Sequence, residues 1–138
     1  MWINMKPIFD MACYSLALVW IFTGLTSIFF APEVGFEILA RAQITGVLAQ
    51  IAVYGGGVLD IVLGGWLITR YALGFCCLVQ IVTICTYSIL LTFIDASFWL
   101  HPFGPVTKNL PILVLIAWLY QADKEAQVVE QKRKGTHQ

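Results

Sequence analysis

Charge is what this chain has least of. Only 12% of its 138 residues are Asp, Glu, Lys or Arg, about half the roughly 25% of an average soluble domain. Eight basic and eight acidic side chains cancel to a formal net charge of zero, so the body of the chain offers no basic patch for a nucleic acid. Histidine is scarce: His101 and the near-terminal His137 are its two copies, too few for a haem or a di-metal centre. The four cysteines, Cys13, Cys76, Cys77 and Cys85, form no C-x-x-C pair and no Cys/His cluster with zinc-ligand spacing. G-x-S-x-G, Walker and dinucleotide fingerprints are missing, and Gly55-Gly56-Gly57 lies inside an apolar run rather than after a strand. No metal site, no catalytic residue and no soluble-type enzyme activity is expected from this inventory. No repeat of about 20–50 residues is present, which sets aside solenoids and propellers.

What the chain has is apolar length. Hydrophobic residues make up 59% of it and its mean hydropathy is +0.82. Four segments are candidates to cross a bilayer, which takes about 20 residues. They run from about Ile8 to Phe30, Gly46 to Thr69, Tyr71 to Ile94, and, more briefly, Pro105 to Ala122. The first is too long and too poor in basic flank for a cleaved signal peptide, so it is expected to be retained. Short links between four such helices predict an all-α, integral membrane, up-down four-helix bundle over residues 1–122. Residues 123–138 form a polar cytoplasmic tail.

Orientation follows from the placement of Lys and Arg. With the N-terminus inside, Lys6, Arg70, Lys124, Lys132, Arg133 and Lys134 face the cytoplasm, and Arg41 and Lys108 lie outside. The positive-inside rule then puts both termini in the cytoplasm. Between the first two spans, Glu33, Glu37 and Arg41 are spaced four apart, with Val34, Ile38, Leu39 and Ala42 on another face. That pattern predicts a short extracytoplasmic interfacial helix with a Glu37–Arg41 pair; the alternative is an extended connector.

Polar groups at membrane depth are the candidate site. Asp60 lies ten residues before Arg70, about 15 Å from that end. A carboxyl there should face the interior and needs a partner or a proton. It reads either as a proton or ligand site or as a structural group, in an ion pair or as a protonated hydrogen-bond donor. Gly55, Gly56, Gly57, Gly64 and Gly65 strip side chains from the same helix and predict close helix packing around it. Gln80 and Gln50 are further hydrogen-bonding candidates. Buried small hydrophobes are the expected role of the cysteines, with a Cys13–Cys76 redox pair as the alternative.

The densest special chemistry is the outer turn His101-Pro102-Phe103-Gly104-Pro105-Val106-Thr107-Lys108-Asn109. A last helix starting at Pro111 would reach Ala122 in about 18 Å, too short to span, so Pro105 is placed in its first turn and Pro111 is expected to kink its interior. Lys108 is then about 20 Å above Gln121, close enough in depth to suggest an Asp60–Lys108 pair with Asn109 and His101 nearby.

This turn, continued through Leu110-Pro111, resembles the DoxX-like family of small bacterial membrane proteins. Leu18-Val19-Trp20-Ile21-Phe22-Thr23-Gly24-Leu25 resembles its first-helix motif and Gly57-Val58-Leu59-Asp60-Ile61 its second-helix segment. One departure is Ser27-Ile28-Phe29, where the family would put a more polar end, often with a lysine. The resemblance implies a bacterial inner-membrane protein, and the wider superfamily takes its name from subunits linked to a thiosulfate:quinone oxidoreductase. Quinone enters here as an analogy alone. The expected function is a non-enzymatic accessory or subunit in a membrane complex, docking a membrane-protein partner or a further copy within the lipid bilayer. The alternatives are a quinone-linked oxidoreductase subunit and a proton-coupled carrier of a small solute.

Overall fold

A computed structural model describes residues 2–101 and 104–135, in which every regular element is helical. Pro102 and Phe103 of the outer turn, and His137, lie outside the described residues. Helix α1 covers Trp2–Leu25 and runs on through a π-helical turn, Thr26–Phe30. That turn closes with the Ala31 N–H donating to the Thr26 carbonyl at 2.8 Å. Pro32 then forces Ala31 out of helical geometry and opens the short helix α2, Pro32–Arg41, as a proline at the first helical position does. Helix α3, Gly46–Thr69, ends in Arg70 with φ 57°, and α4, Leu73–Ile94, follows at once. A 3₁₀ turn, Ala96–Trp99, and helix α5, Asn109–Gly135, complete the chain.

Three stretches are long and apolar enough to cross a membrane: Met5–Phe30, Gly46–Thr69 and Leu73–Ile94. Helix α5 differs. Regular helix begins at Asn109, four residues past the start expected at Pro105, so Pro111 falls in the first turn and not in the interior. The proposed kink is therefore not needed: a first-turn proline lacks only a donor that would have no intrahelical partner. The residues before it close their own N–H groups, with Lys108 N–H on the Gly104 carbonyl at 2.9 Å, Asn109 on Val106 at 3.0 Å and Leu110 on Thr107 at 3.2 Å.

The helices pack as two pairs, α1 with α3 and α4 with α5. Small residues set the first pair. A Cβ at Gly64 would come within 2.6 Å of Ile21 Cγ1 and 2.9 Å of the Ala17 carbonyl, and one at Gly57 within 2.6 Å of Ile28. A Cβ at Gly24, on α1, would run into the Gly57 carbonyl. Of the five glycines expected to pack α3, Gly57 and Gly64 do so against α1, and Gly56 faces the Tyr87 hydroxyl on α4. Gly55 and Gly65 have open space beside them.

Among the described residues the backbones of α1 and α4 do not approach closely, and long side chains bridge the seam between the pairs. The half of that seam nearest the start of α1 is a dense core: Leu16, Ala17, Leu63, Leu67, Ile116 and Leu119 are all buried. At the opposite end, α2 rests on α3, with Gly35 against Val53 and the Phe36 ring edge-on to Tyr54 at 5.9 Å.

Candidate functional site

One face of α4 carries Cys76, Gln80, Thr83 and Tyr87, spaced four, three and four residues apart. Heptad-like spacing puts all four on the stripe that meets the seam. Gln80 is fully buried, and its carbonyl oxygen accepts a hydrogen bond from Trp20 Nε1 at 2.8 Å. Its amide lies 3.4 Å from Cys76 Sγ. Thr83 satisfies itself by donating to the Val79 carbonyl at 2.9 Å. Tyr87 donates to Asp60 Oδ1 at 3.4 Å, a long bond. Asp60 itself is 4% exposed.

Asp60 and Gln80 therefore face the same seam, as expected of costly polar groups at that depth. Lys108 does not join them. It is exposed, and among the described residues the ion pairs are Arg41–Asp95, Arg70–Asp10 and Glu130–Lys134. Starting α5 at Asn109 leaves Lys108 in the preceding turn and turned outward, which removes the expected Asp60–Lys108 contact. Asn109 instead donates to Ser88 Oγ at 2.8 Å, fixing the outer end of α5 against α4. His101 is exposed, and its carbonyl accepts the Gly104 N–H at 2.7 Å.

The expected Glu37–Arg41 pair is also replaced. Arg41 reaches Asp95 at 3.0 Å and lies 5.9 Å over the Phe98 ring. Asp95 is the better anchor because it is already ordered as the cap of the 3₁₀ turn, accepting the Ser97 N–H at 2.9 Å. Hydrogen bonding from the Ser97 side chain first and its N–H second, aided by Arg41, holds the Asp95 carboxyl below the usual carboxylate range. A carboxyl with a depressed folded value contributes stability above its unfolded pKa of about 3.9 and loses it as pH falls through the folded value. An NMR titration of the Asp95 carboxyl carbon should therefore give a midpoint below about 3.9, and Ser97→Ala should move it upward. A midpoint at the ordinary value in both proteins would remove this account of the cap.

At the end of α3, Arg70 pairs with Asp10 at 2.6 Å and lies over the Tyr14 ring at 5.4 Å. The left-handed Arg70 that ends α3 thus ties α3 back to the start of α1. Cys13, Cys76 and Cys77 are buried in one apolar cluster and Cys85 is exposed. All four are free thiols. Among the described residues no three His, Cys, Asp or Glu side chains come together in a way that could hold a metal ion.

The model of the DoxX-like family matches residues 17–117. The chain belongs to the DoxX-like family. The matched stretch runs from Ala17 on α1 to Ala117 on α5 and takes in Trp20, Gly24, Asp60, Gln80, Tyr87 and Asn109. The inner tie at Asp10 and the polar end of α5 lie beyond it. Neither the curated proteins nor the solved structures give a match. This DoxX-like chain is accordingly a membrane protein, with apolar helices in contact with the lipid bilayer.

Two participants escaped the sequence reading. Tyr87 lies seven residues beyond Gln80 and so on the same helix face, a signal present in the spacing. Trp20 carried no such signal, because an indole in an apolar run looks like any large core residue until its partner is known.

Proposed function

We propose that this chain is a non-enzymatic accessory subunit of a bacterial inner-membrane complex. Its four long helices cross the bilayer up and down, both termini are cytoplasmic, and α2 lies along the outer surface. Six basic residues on the inner side against two on the outer support that orientation.

The observation that carries the reading is the mismatch between α4 and α5. The apolar part of α5, Leu110 to Ala122, is about 20 Å long and stops level with Ser88. Beyond that level α5 no longer covers α4, and Ile89, Leu90 and Phe93 are exposed there. A short span is accommodated by a thinner bilayer or by association with further helices. Lateral association also suits the broad apolar faces of α1 and α3, where no more than a third of the most apolar window is buried within the chain. The partner is another membrane protein or a second copy of this chain.

A second reading, a quinone-linked redox subunit, is favoured by Asp60 and Tyr87, which pair a carboxyl with a hydroxyl beside apolar walls. Native mass spectrometry of the complex released directly from membranes tests both. A stable protein partner or homo-oligomer is the expected result, and a bound quinone would select the second reading. A monomer carrying neither would overturn both.

A further inference from the structure

Asp60 is more than nine-tenths buried, yet its hydrogen bonding is thin. Oδ1 has the Tyr87 hydroxyl at 3.4 Å, and the ion pairs among the described residues bring no cation to the carboxyl. No ionisable side chain lies on α1 between Tyr14 and the start of α2, or on α5 between Lys108 and Tyr120. At the depth of Asp60, α4 contributes Tyr87 to the seam, while Cys85 is exposed. The charged groups nearest the outer end are Glu33, Glu37 and Arg41 of α2, Asp95, and Lys108, with His101 in the outer turn. A buried carboxyl in an apolar seam without a cation is favoured in its neutral, protonated form.

The two directions out of the site differ. Inward, Leu63 and Leu67 of α3 close on Leu16, Ile116 and Leu119, all within 2% of full burial. Outward, the α3 face that carries Asp60 continues as Gly56, Val53 and Ala49. It is covered there by α2, whose Gly35 sits on Val53. Helix α2 also reaches α4, and its last residue, Arg41, is fastened to Asp95 just past the end of α4. The side chains of that ion pair are 57% and 31% exposed, so it is the kind of contact that opens readily.

We propose that Asp60 is a proton-binding site served from the outer face, and that the Arg41–Asp95 pair is the clasp by which α2 closes its mouth. Tyr87 positions the carboxyl and keeps a donor on it in either protonation state. The site does not depend on a partner chain and stands whether or not the subunit reading holds.

Infrared spectroscopy of the full chain in lipid nanodiscs tests the proposal. The carboxyl C=O band of Asp60 is identified as the band lost in Asp60→Asn and shifted in Asp60→Glu, the second variant guarding against misfolding of the first. It is expected to titrate reversibly while the protein stays folded, and to shift on transfer to deuterated buffer. Arg41→Gln and Asp95→Asn should each speed that deuterium shift several-fold without changing the helix content. A band that does not titrate, or no band assignable to Asp60, would overturn the proton site. An exchange rate unchanged in both clasp variants would overturn the role of α2.

Discussion

Gln80→Ala is expected to destabilise the protein by about 2–4 kcal/mol. The change removes a fully buried side chain and leaves a cavity. It also takes away the acceptor of the Trp20 indole N–H, which is held at 2.8 Å in the seam between the helix pairs. An unpaired buried donor costs about 1–3 kcal/mol, and lipid offers no water to replace the lost partner. Gln80→Met separates the two contributions, since it keeps most of the volume and loses the acceptor; its cost should be about 1–2 kcal/mol. Reversible unfolding in mixed micelles, followed by circular dichroism, measures both. Unfolding curves that superimpose on wild type for both variants would mean that Trp20 and Gln80 do not join the two pairs.

The second large effect belongs to Gly24. Its Cβ position meets the Gly57 carbonyl and the Ile61 side chain. A backbone oxygen cannot swing aside as a flexible side chain does. Gly24→Ala must push α1 away from α3, at a cost of about 1–3 kcal/mol. Gly55→Ala is the control: it has open space at its Cβ, and alanine is the better helix former by up to about 1 kcal/mol. The same unfolding assay should place the two substitutions on opposite sides of wild type. If both cost the same, the close approach of α1 and α3 is not what stabilises this pair.

Several features were legible because they depend on one helix at a time. Span length is one, and the depth of Asp60 is another, since both follow from counting residues at 1.5 Å each. That Asp60 and Gln80 turn inward follows from the expense of polar groups in lipid. What could not be read are choices between elements. Five glycines on α3 look alike in sequence, and only the neighbouring helices decide that Gly57 and Gly64 are filled against α1 while Gly55 and Gly65 stay open. Arg41 had a same-helix partner in Glu37, yet Asp95 won by being already ordered by Ser97. Lys108 was misplaced for a related reason. The length argument asked α5 to span the bilayer unaided, and so drew Pro105 into the helix and Lys108 inward. The actual turn uses i→i+3 and i→i+4 bonds to begin the helix at Asn109, and the shortfall in span remains.

The π-helical turn at Thr26–Phe30 has a consequence for how this chain tolerates change. Its closing bond spans five residues instead of four, so it holds one residue more than an α-turn would. Each residue of an α-helix advances the chain by about 100° around the axis. That holds for ordinary helix, where losing one residue would turn everything that follows, up to the end of α2, through about that angle and carry Arg41 away from Asp95. The π-turn is different: it accommodates its extra residue within one wider turn, so losing a single residue there would restore an α-turn and leave the chain beyond it facing nearly as before. The turn therefore acts as slack, able to give up one residue, whereas a deletion in the regular helix on either side re-aims an entire arm of the molecule.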